Sequence, residues 1–574
     1  MKAGTIFLAC LLLAGMCAQG AEQAPRETAA KLLAEAYDLA MSVDDARARA
    51  GVLGAIGAEL LQFDRSKGIA AITDAIDNAR PLLDVDMLEQ VSLIAARNVP
   101  ELALLAARKA QLHKQRIRIG AVREIARYYP KRALQVVESD FVKGSRAQEM
   151  ALEAALFGMS TRREKPNAED ALKHVGQDLS KPEEATKLLA VAIGLAEVDE
   201  QRSVELLKRL PRGQRMEYLR TYVGETAAFA PRAALGAMEL AASDLEQGKP
   251  APEGIEVFTE LCAEARLLGF AEAKRFFDRA LAYAANVGDS WQKGLALAGL
   301  ARELAAAKDS RAQQVFAQAK ALVQDKLSEV DPPRLRMLAV DVVTFDAELA
   351  KRALGASGPG NKTRTYIAMA RRLLEAGNKD LALRYYRNAM SSAAWWAQAE
   401  GTPTQEKKEC ITDLLAIASQ LFPVDKQTAR EAVERAFNLA NALFDPQRQS
   451  GIFSLIAVAT AQYDVDLALK QAEALRTTSE AYWRTVGGIA AIVAKDDLER
   501  GLAMMRRIPD KFAPTRCFFL SQTAVDLAHR DLRRALEVAR SISQSGDKNA
   551  LAEAGALLGI ARVLLAQGGG RQAS

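Results

Sequence analysis

Histidine is nearly missing from this 574-residue chain, with 3 copies, and cysteine is scarce, with 5. None of the histidines (His113, His174 and His529) stands in an HExxH or similar ligand pair, so the sequence has no metal-site motif and no histidine-based nucleophile system. The acidic pairs Asp84/Asp86 and Asp464/Asp466 lack the spacing of a calcium loop. Aromatic residues make up only 6%, which argues against a cleft paved with aromatic platforms for a polysaccharide. The formal charge is +5, but there is no block of five or six basic residues and no basic–aromatic interleaving. A nucleic-acid footprint is therefore excluded, and the interspersed charges read as a solvated helical surface. Glycine and proline are modest and fall mostly between helical stretches, which excludes a collagenous, mucin-like or long disordered chain. The segment Gly355–Thr363 (GASGPGNKT) fails as a phosphate loop. Asn361 intrudes before Lys362, and the segment follows a helix where a strand is needed. No cofactor, metal or catalytic residue is expected.

What the chain does have is alanine and a period. Apolar residues reach 49%, and abundant alanine suits helices whose axes approach closely. Near the C-terminus three sets share the offsets i, i+3, i+4, i+7, i+10: Val465/Ala468/Leu469/Ala472/Leu475, Leu498/Gly501/Leu502/Met505/Ile508 and Leu532/Ala535/Leu536/Ala539/Ile542. Strands cannot use this period; each set is one stripe of a helix. The small residue of the stripe recurs as Gly68, Ala103, Ala133, Ala171, Ser203, Ala234, Ala273, Ala312, Ala350, Ala382, Ala429, Ala468, Gly501 and Ala535, at intervals of 30 to 47 with a mean near 36. Four residues earlier stand Asp64, Asp199, Asp346, Asp425, Asp464, Asp497 and Asp531, with Asn167 and Asn378 in the same place. Such residues accept hydrogen bonds from the free N–H groups of a helix start. Pro100, Pro130 and Pro231 open three other helices, where the missing N–H costs nothing. A second helical segment precedes each marker. The repeat is thus helix, short turn, helix, and each pair needs a neighbour to cover its apolar face.

The unit from Ala368 to Ala389 sets Ala370, Leu373, Gly377, Ala382, Tyr386 and Ala389 at the spacing of the tetratricopeptide-like superfamily, which the sequence resembles there; the stretches around Pro100 and Pro130 read more like HEAT hairpins. The resemblance covers most of residues 45–545 as architecture but only one unit at motif level. It implies a superhelix with a groove for partners and brings no catalytic residues. The predicted fold is all-α: a right-handed α-solenoid of about fourteen antiparallel hairpins with a period of about 36 residues.

Residues 1–20 read as a signal peptide. Lys2 supplies the positive start, Ile6 to Met16 the short apolar run, and Ala18-Gln19-Gly20 the small residues before a cleavage at Ala21. Lipid anchoring through Cys17 is the lesser alternative, because Met16 spoils the lipobox. No other stretch reads as long and apolar enough to span a membrane. A capping helix is expected over 21–44, the repeat domain over 45–567 with bends near 245–254, 353–362 and 391–406, and a disordered tail over 568–574. Cys262, Cys410 and Cys517 sit in different hairpins, too far apart for a disulfide, and read as buried free thiols.

The weak candidates for partner contact are an arginine recurring near the start of the first helix and a tryptophan pair. Arg116, Arg215, Arg334, Arg364, Arg448, Arg484 and Arg516 lie 16 to 20 residues before the marker, with Arg146 farther out. Cations are disfavoured at a helix N-terminus. Each arginine either reaches the carbonyl end of a neighbouring second helix or pairs with an acid; a stripe binding acidic peptides or anionic envelope polymers is the competing reading. Adjacent Trp395 and Trp396 point to opposite sides of a helix, and an exposed tryptophan can anchor a partner. The expected function is an exported, non-enzymatic scaffold of the bacterial cell envelope, periplasmic or secreted, that binds a protein or peptide partner or another copy of itself. An all-helical polysaccharide- or peptidoglycan-acting enzyme is the alternative.

Overall fold

The computed structural model describes residues 25–161, 168–358, 360–542 and 549–569. Among them every regular element is a helix and no strand occurs. The protein is thus all-α and built of stacked helical hairpins, in two compact units: Met1–Gly176 with Thr477–Ser574, and Gln177–Arg476. The expected signal peptide lies outside the described residues.

In the second unit eight hairpins follow one another. They pair Pro182–Leu195 with Glu200–Lys208, Arg212–Thr226 with Pro231–Glu246, Pro252–Leu267 with Ala273–Ala285, and Trp291–Ala306 with Ala312–Val323. Then come Pro332–Val342 with Ala347–Ala356, Thr363–Glu375 with Lys379–Gln398, Thr404–Leu421 with Lys426–Leu443, and Ser450–Thr460 with Val465–Ala472. The first unit holds Ala46–Leu60 with Arg65–Asn78, Val85–Ala95 with Pro100–Lys109, Lys114–Tyr128 with Pro130–Asp140, and Arg146–Ser160 with Ala168–Leu172. From the C-terminal part it adds Glu480–Asp496 with Leu498–Arg506, and Ala513–Ala528 with Leu532–Arg540.

Each of the small marker residues falls in the second helix of a hairpin. All but Ala273 are buried; Ala273 opens its helix half-buried, and Phe276 and Phe277 fill the core there. The marker is small because it meets the first helix of its own hairpin. A Cβ on Gly68 would stand 3.0 Å from the Gly57 carbonyl oxygen, and one on Gly501 2.5 Å from Ala494 Cβ. Ser203 uses the same place differently: its hydroxyl donates to the Ala192 carbonyl at 2.6 Å and meets the buried Tyr222 hydroxyl at 2.5 Å. Burial pushes the Tyr222 phenol up to about 12.

The helix starts behave as capping chemistry requires. Asp64, Asp199, Asp346, Asp425, Asp464, Asp497 and Asp531 each accept from the backbone N–H three residues on, and Asn378 does the same for Leu381. Pro100, Pro130 and Pro231 are first helical residues. Asn167 lies outside the described residues.

Neighbouring second helices are also stitched by ion pairs about one repeat apart. Arg108 binds Asp140 at 2.7 Å, Arg132 binds Glu101 at 2.8 Å, Arg279 binds Glu246 at 2.6 Å, and Arg534 binds Glu499.

Within the first unit the first and last described helices each meet helices remote in sequence. Residues 25–41 form a helix that buries Ala29, Leu32, Leu33, Ala36 and Ala40. Glu35 accepts two hydrogen bonds from Arg540, at 3.1 and 3.0 Å, in the manner of the ion pairs between other second helices. On its other side Lys67 lies 5.6 Å from the Tyr37 ring centre and Arg26 5.7 Å from that of Phe63. Ala550–Gly569 packs beside Ala513–Ala528 and Ala46–Leu60, and Arg562 donates to Glu59 at 3.0 Å. Residues about five hundred positions apart thus become neighbours, Glu35 with Arg540 and Glu59 with Arg562.

Two sequence expectations need correction here. The final helix continues to Gly569, two residues into the expected tail. Its stretch Ala550–Gln567 is also long and apolar enough, by length and composition, to cross a membrane, where none was expected beyond residues 1–20. The apolarity has a packing cause: Ala554, Ala556, Leu557, Ile560 and Ala561 are fully buried among neighbouring helices.

Candidate binding surfaces

The recurrent arginines are largely consumed by structure. Arg116 pairs with Glu89 at 2.6 Å, on the preceding first helix. Arg215 donates to the carbonyls of Lys208 and Leu210, both at 2.8 Å, and pairs with Asp244 at 3.1 Å. Arg516, only 9% exposed, donates to the Ile508 carbonyl at 3.0 Å and to Asp510 at 2.9 Å. Arg364 reaches Glu409 at 3.0 Å and Asp413 at 3.7 Å on the next first helix. Arg334 pairs with Asp331, Arg484 with Glu480 and Arg146 with Glu149. Arg448 is exposed, with no ion pair among the described residues. The arginines stand in separate repeats, all but Arg448 with a partner of their own, and the structure does not bring them into one cluster.

The tryptophans divide as their adjacency requires. Trp395 is 59% exposed, while Trp396 is half-buried and donates from Nε1 to Glu406 at 2.8 Å. The glycine-rich segment is a turn between hairpins. Gly358 and Gly360 have φ of 78° and 143°, and Lys362 turns back to donate to the Leu354 carbonyl at 2.8 Å. Cys262, Cys410 and Cys517 are buried and free. Burial raises all three thiol pKa values, Cys410 to about 11. Among the described residues no group of three or more His, Cys, Asp or Glu is arranged to hold a metal ion.

Two features escaped the sequence reading, both on first helices of the second unit. One is a buried charge ladder. Arg266 donates to Glu303 at 2.9 Å, Arg302 donates to Glu303 at 2.9 Å, and Arg302 also binds Asp341 on the next hairpin. Glu303 is 2% exposed and Asp341 8%. Burial works to lower the Arg302 pKa, but Asp341 and Glu303 outweigh it. Burial pushes the Asp341 carboxyl up against the pull of Arg302. This ladder joins successive hairpins and has a structural use.

The other is an apolar cleft of about 240 Å³ between Arg212–Thr226 and Pro252–Leu267, lined by Met216, Leu219, Val223, Ala241, Val257 and Leu261. Its rim carries Arg220, which pairs with Glu260 at 2.8 Å, and Glu264. Glu253, Glu256, Glu260 and Glu264 form one exposed ridge along Pro252–Leu267. Their 3, 4, 4 spacing was a readable signal that four carboxylates share a face.

No protein-family model matches the chain, and no curated protein matches it. Among solved structures it is matched with a "circular tandem repeat protein with novel repeat topology and enhanced subunit contact surfaces", at 15% identity over 96% of this chain and 100% of the other, with a TM-score of 0.10. A superposition at that score carries no structural argument, and the helical-repeat fold rests on the order and packing of the hairpins themselves.

Proposed function

We propose that this protein is an exported, non-enzymatic scaffold of the bacterial cell envelope that holds a protein or peptide partner on the first helices of its hairpins. The observation that carries this reading is the apolar cleft beside Arg212–Thr226, which no helix among the described residues fills. Rigid helix pairs present such a surface at little ordering cost, which is what a binding scaffold requires. The tetratricopeptide-like reading belongs here too. In the unit from Ala368 to Ala389, Ala370, Leu373, Ala382, Tyr386 and Ala389 are buried, and Gly377 takes φ of 79° in the turn. Export rests on the Lys2, Ile6–Met16 and Ala18-Gln19-Gly20 pattern.

Affinity capture from native envelopes with cross-linking tests the binding role. A partner cross-linked to first-helix surfaces supports it, and no saturable partner sinks it. N-terminal sequencing of mature protein, expected to begin at Ala21, tests export. Turnover of peptidoglycan or a common polysaccharide by the purified protein would replace the scaffold with an enzyme.

A further inference from the structure

We propose that the cleft between Arg212–Thr226 and Pro252–Leu267 takes one apolar side chain from a peptide segment rich in lysine or arginine. This rests on the scaffold reading and names the chemistry of its partner. The size of the cleft argues for a side chain. At about 240 Å³ it lies below the roughly 300 Å³ at which small-molecule pockets begin. Its floor, made by Leu219, Val223, Val257 and Leu261, is apolar throughout. Gly224 borders it, and a Cβ built there would meet no heavy atom within 4 Å, so space continues over the helix backbone.

Charge selects the partner. Among the described residues Glu253, Glu256 and Glu264 have no hydrogen-bonded or ion-paired cation, and only Glu260 has one, Arg220, itself half-exposed on the rim. Burial raises the Glu256 carboxyl; Arg334 and Arg220 pull it down, while Glu253 and Glu260 push it up. Four carboxylates on one helix face repel one another, and a cationic segment along the ridge relieves that repulsion. An acidic segment would add to it. The partner therefore has the sign opposite to the one an arginine stripe would select.

The test uses the full mature chain and a short labelled peptide with a single leucine in a lysine–alanine background. Control peptides replace the leucine by serine or the lysines by glutamate. Saturable binding of the first peptide is expected, weakened about ten- to a hundredfold by loss of the leucine, abolished by glutamate and reduced by salt. Gly224→Trp fills the cleft from an open helix position and should remove binding without changing the melting temperature. Glu253→Gln/Glu256→Gln/Glu264→Gln leaves the cleft open and should flatten the salt dependence. Absence of saturable binding, or binding indifferent to Gly224→Trp, overturns the proposal. Envelope capture that survives Gly224→Trp overturns the cleft assignment and leaves the scaffold standing. Peptide binding lost in Gly224→Trp, with no envelope partner captured, upholds the cleft and sinks the scaffold.

Discussion

The seam between the helix over 25–41 and Leu532–Arg540 makes a prediction that an independent N-terminal helix would not. Leu33 is fully buried on the helix over 25–41. Truncating it to alanine removes the apolar transfer energy and leaves a cavity, at a cost of about 3–5 kcal/mol for such a site. That loss weakens the seat of the helix against Leu532–Arg540, which Arg540 and Glu35 bridge, and against the Lys67 and Phe63 side. At about 1.4 kcal/mol per decade, opening of this seam becomes at least a hundredfold more frequent. Native-state amide exchange reads it directly. Leu33→Ala should speed exchange both in 25–41 and in residues 532–540, which are remote in sequence. Lys31→Ala, at an exposed position of the same helix, should change neither. If Leu33→Ala loosens 25–41 alone and Leu532–Arg540 keeps its protection, the seam is not cooperative and the reasoning is wrong.

Three further outcomes are expected. Gly158→Ala should lower thermal stability by about 1–3 kcal/mol, because its Cβ would stand 2.2 Å from the Arg123 carbonyl oxygen where two first helices cross; an unchanged melting temperature would contradict that contact. Asp464→Ala should cost about 1 kcal/mol in denaturant unfolding by releasing the Leu467 N–H, and Asp464→Asn, which keeps a capping oxygen, should cost far less. Asp309 is held at about 2, first by its hydrogen bonds to the Arg311 guanidinium. A carboxyl lowered in the folded state stabilises fully above its ordinary pKa and loses that contribution as pH falls through about 2. Asp309→Asn should therefore destabilise at neutral pH, with the difference from wild type fading below pH 4; a constant difference down to the folded-state pKa would refute the Arg311 pairing.

Capping and periodicity are local properties, which is why they were readable. An aspartate before a stripe, or a proline at its first position, satisfies orphan N–H groups within its own turn, so the markers from Gly68 to Ala535 located the second helices from the chain alone. The buried thiols followed from their places on apolar faces. The ladder Arg266–Glu303–Arg302–Asp341 was not readable. A buried charge looks like an exposed one in sequence until neighbouring hairpins exclude water and supply the opposite charge. The cleft was hidden for the same reason: Leu219 and Leu261 look like ordinary core residues, and only the spacing of two helices leaves room between them.

The amino-acid order by itself determined that the chain is helical, that its helices come in pairs, and where most of them begin. These outcomes depend on hydrogen bonds and side-chain periods spanning a few residues. Tertiary structure alone decided which charges are neutralised, where a cleft is left between helices, and that the helix over 25–41 meets Leu532–Arg540. Those outcomes depend on surfaces far apart in sequence, and no local pattern encodes how such surfaces meet.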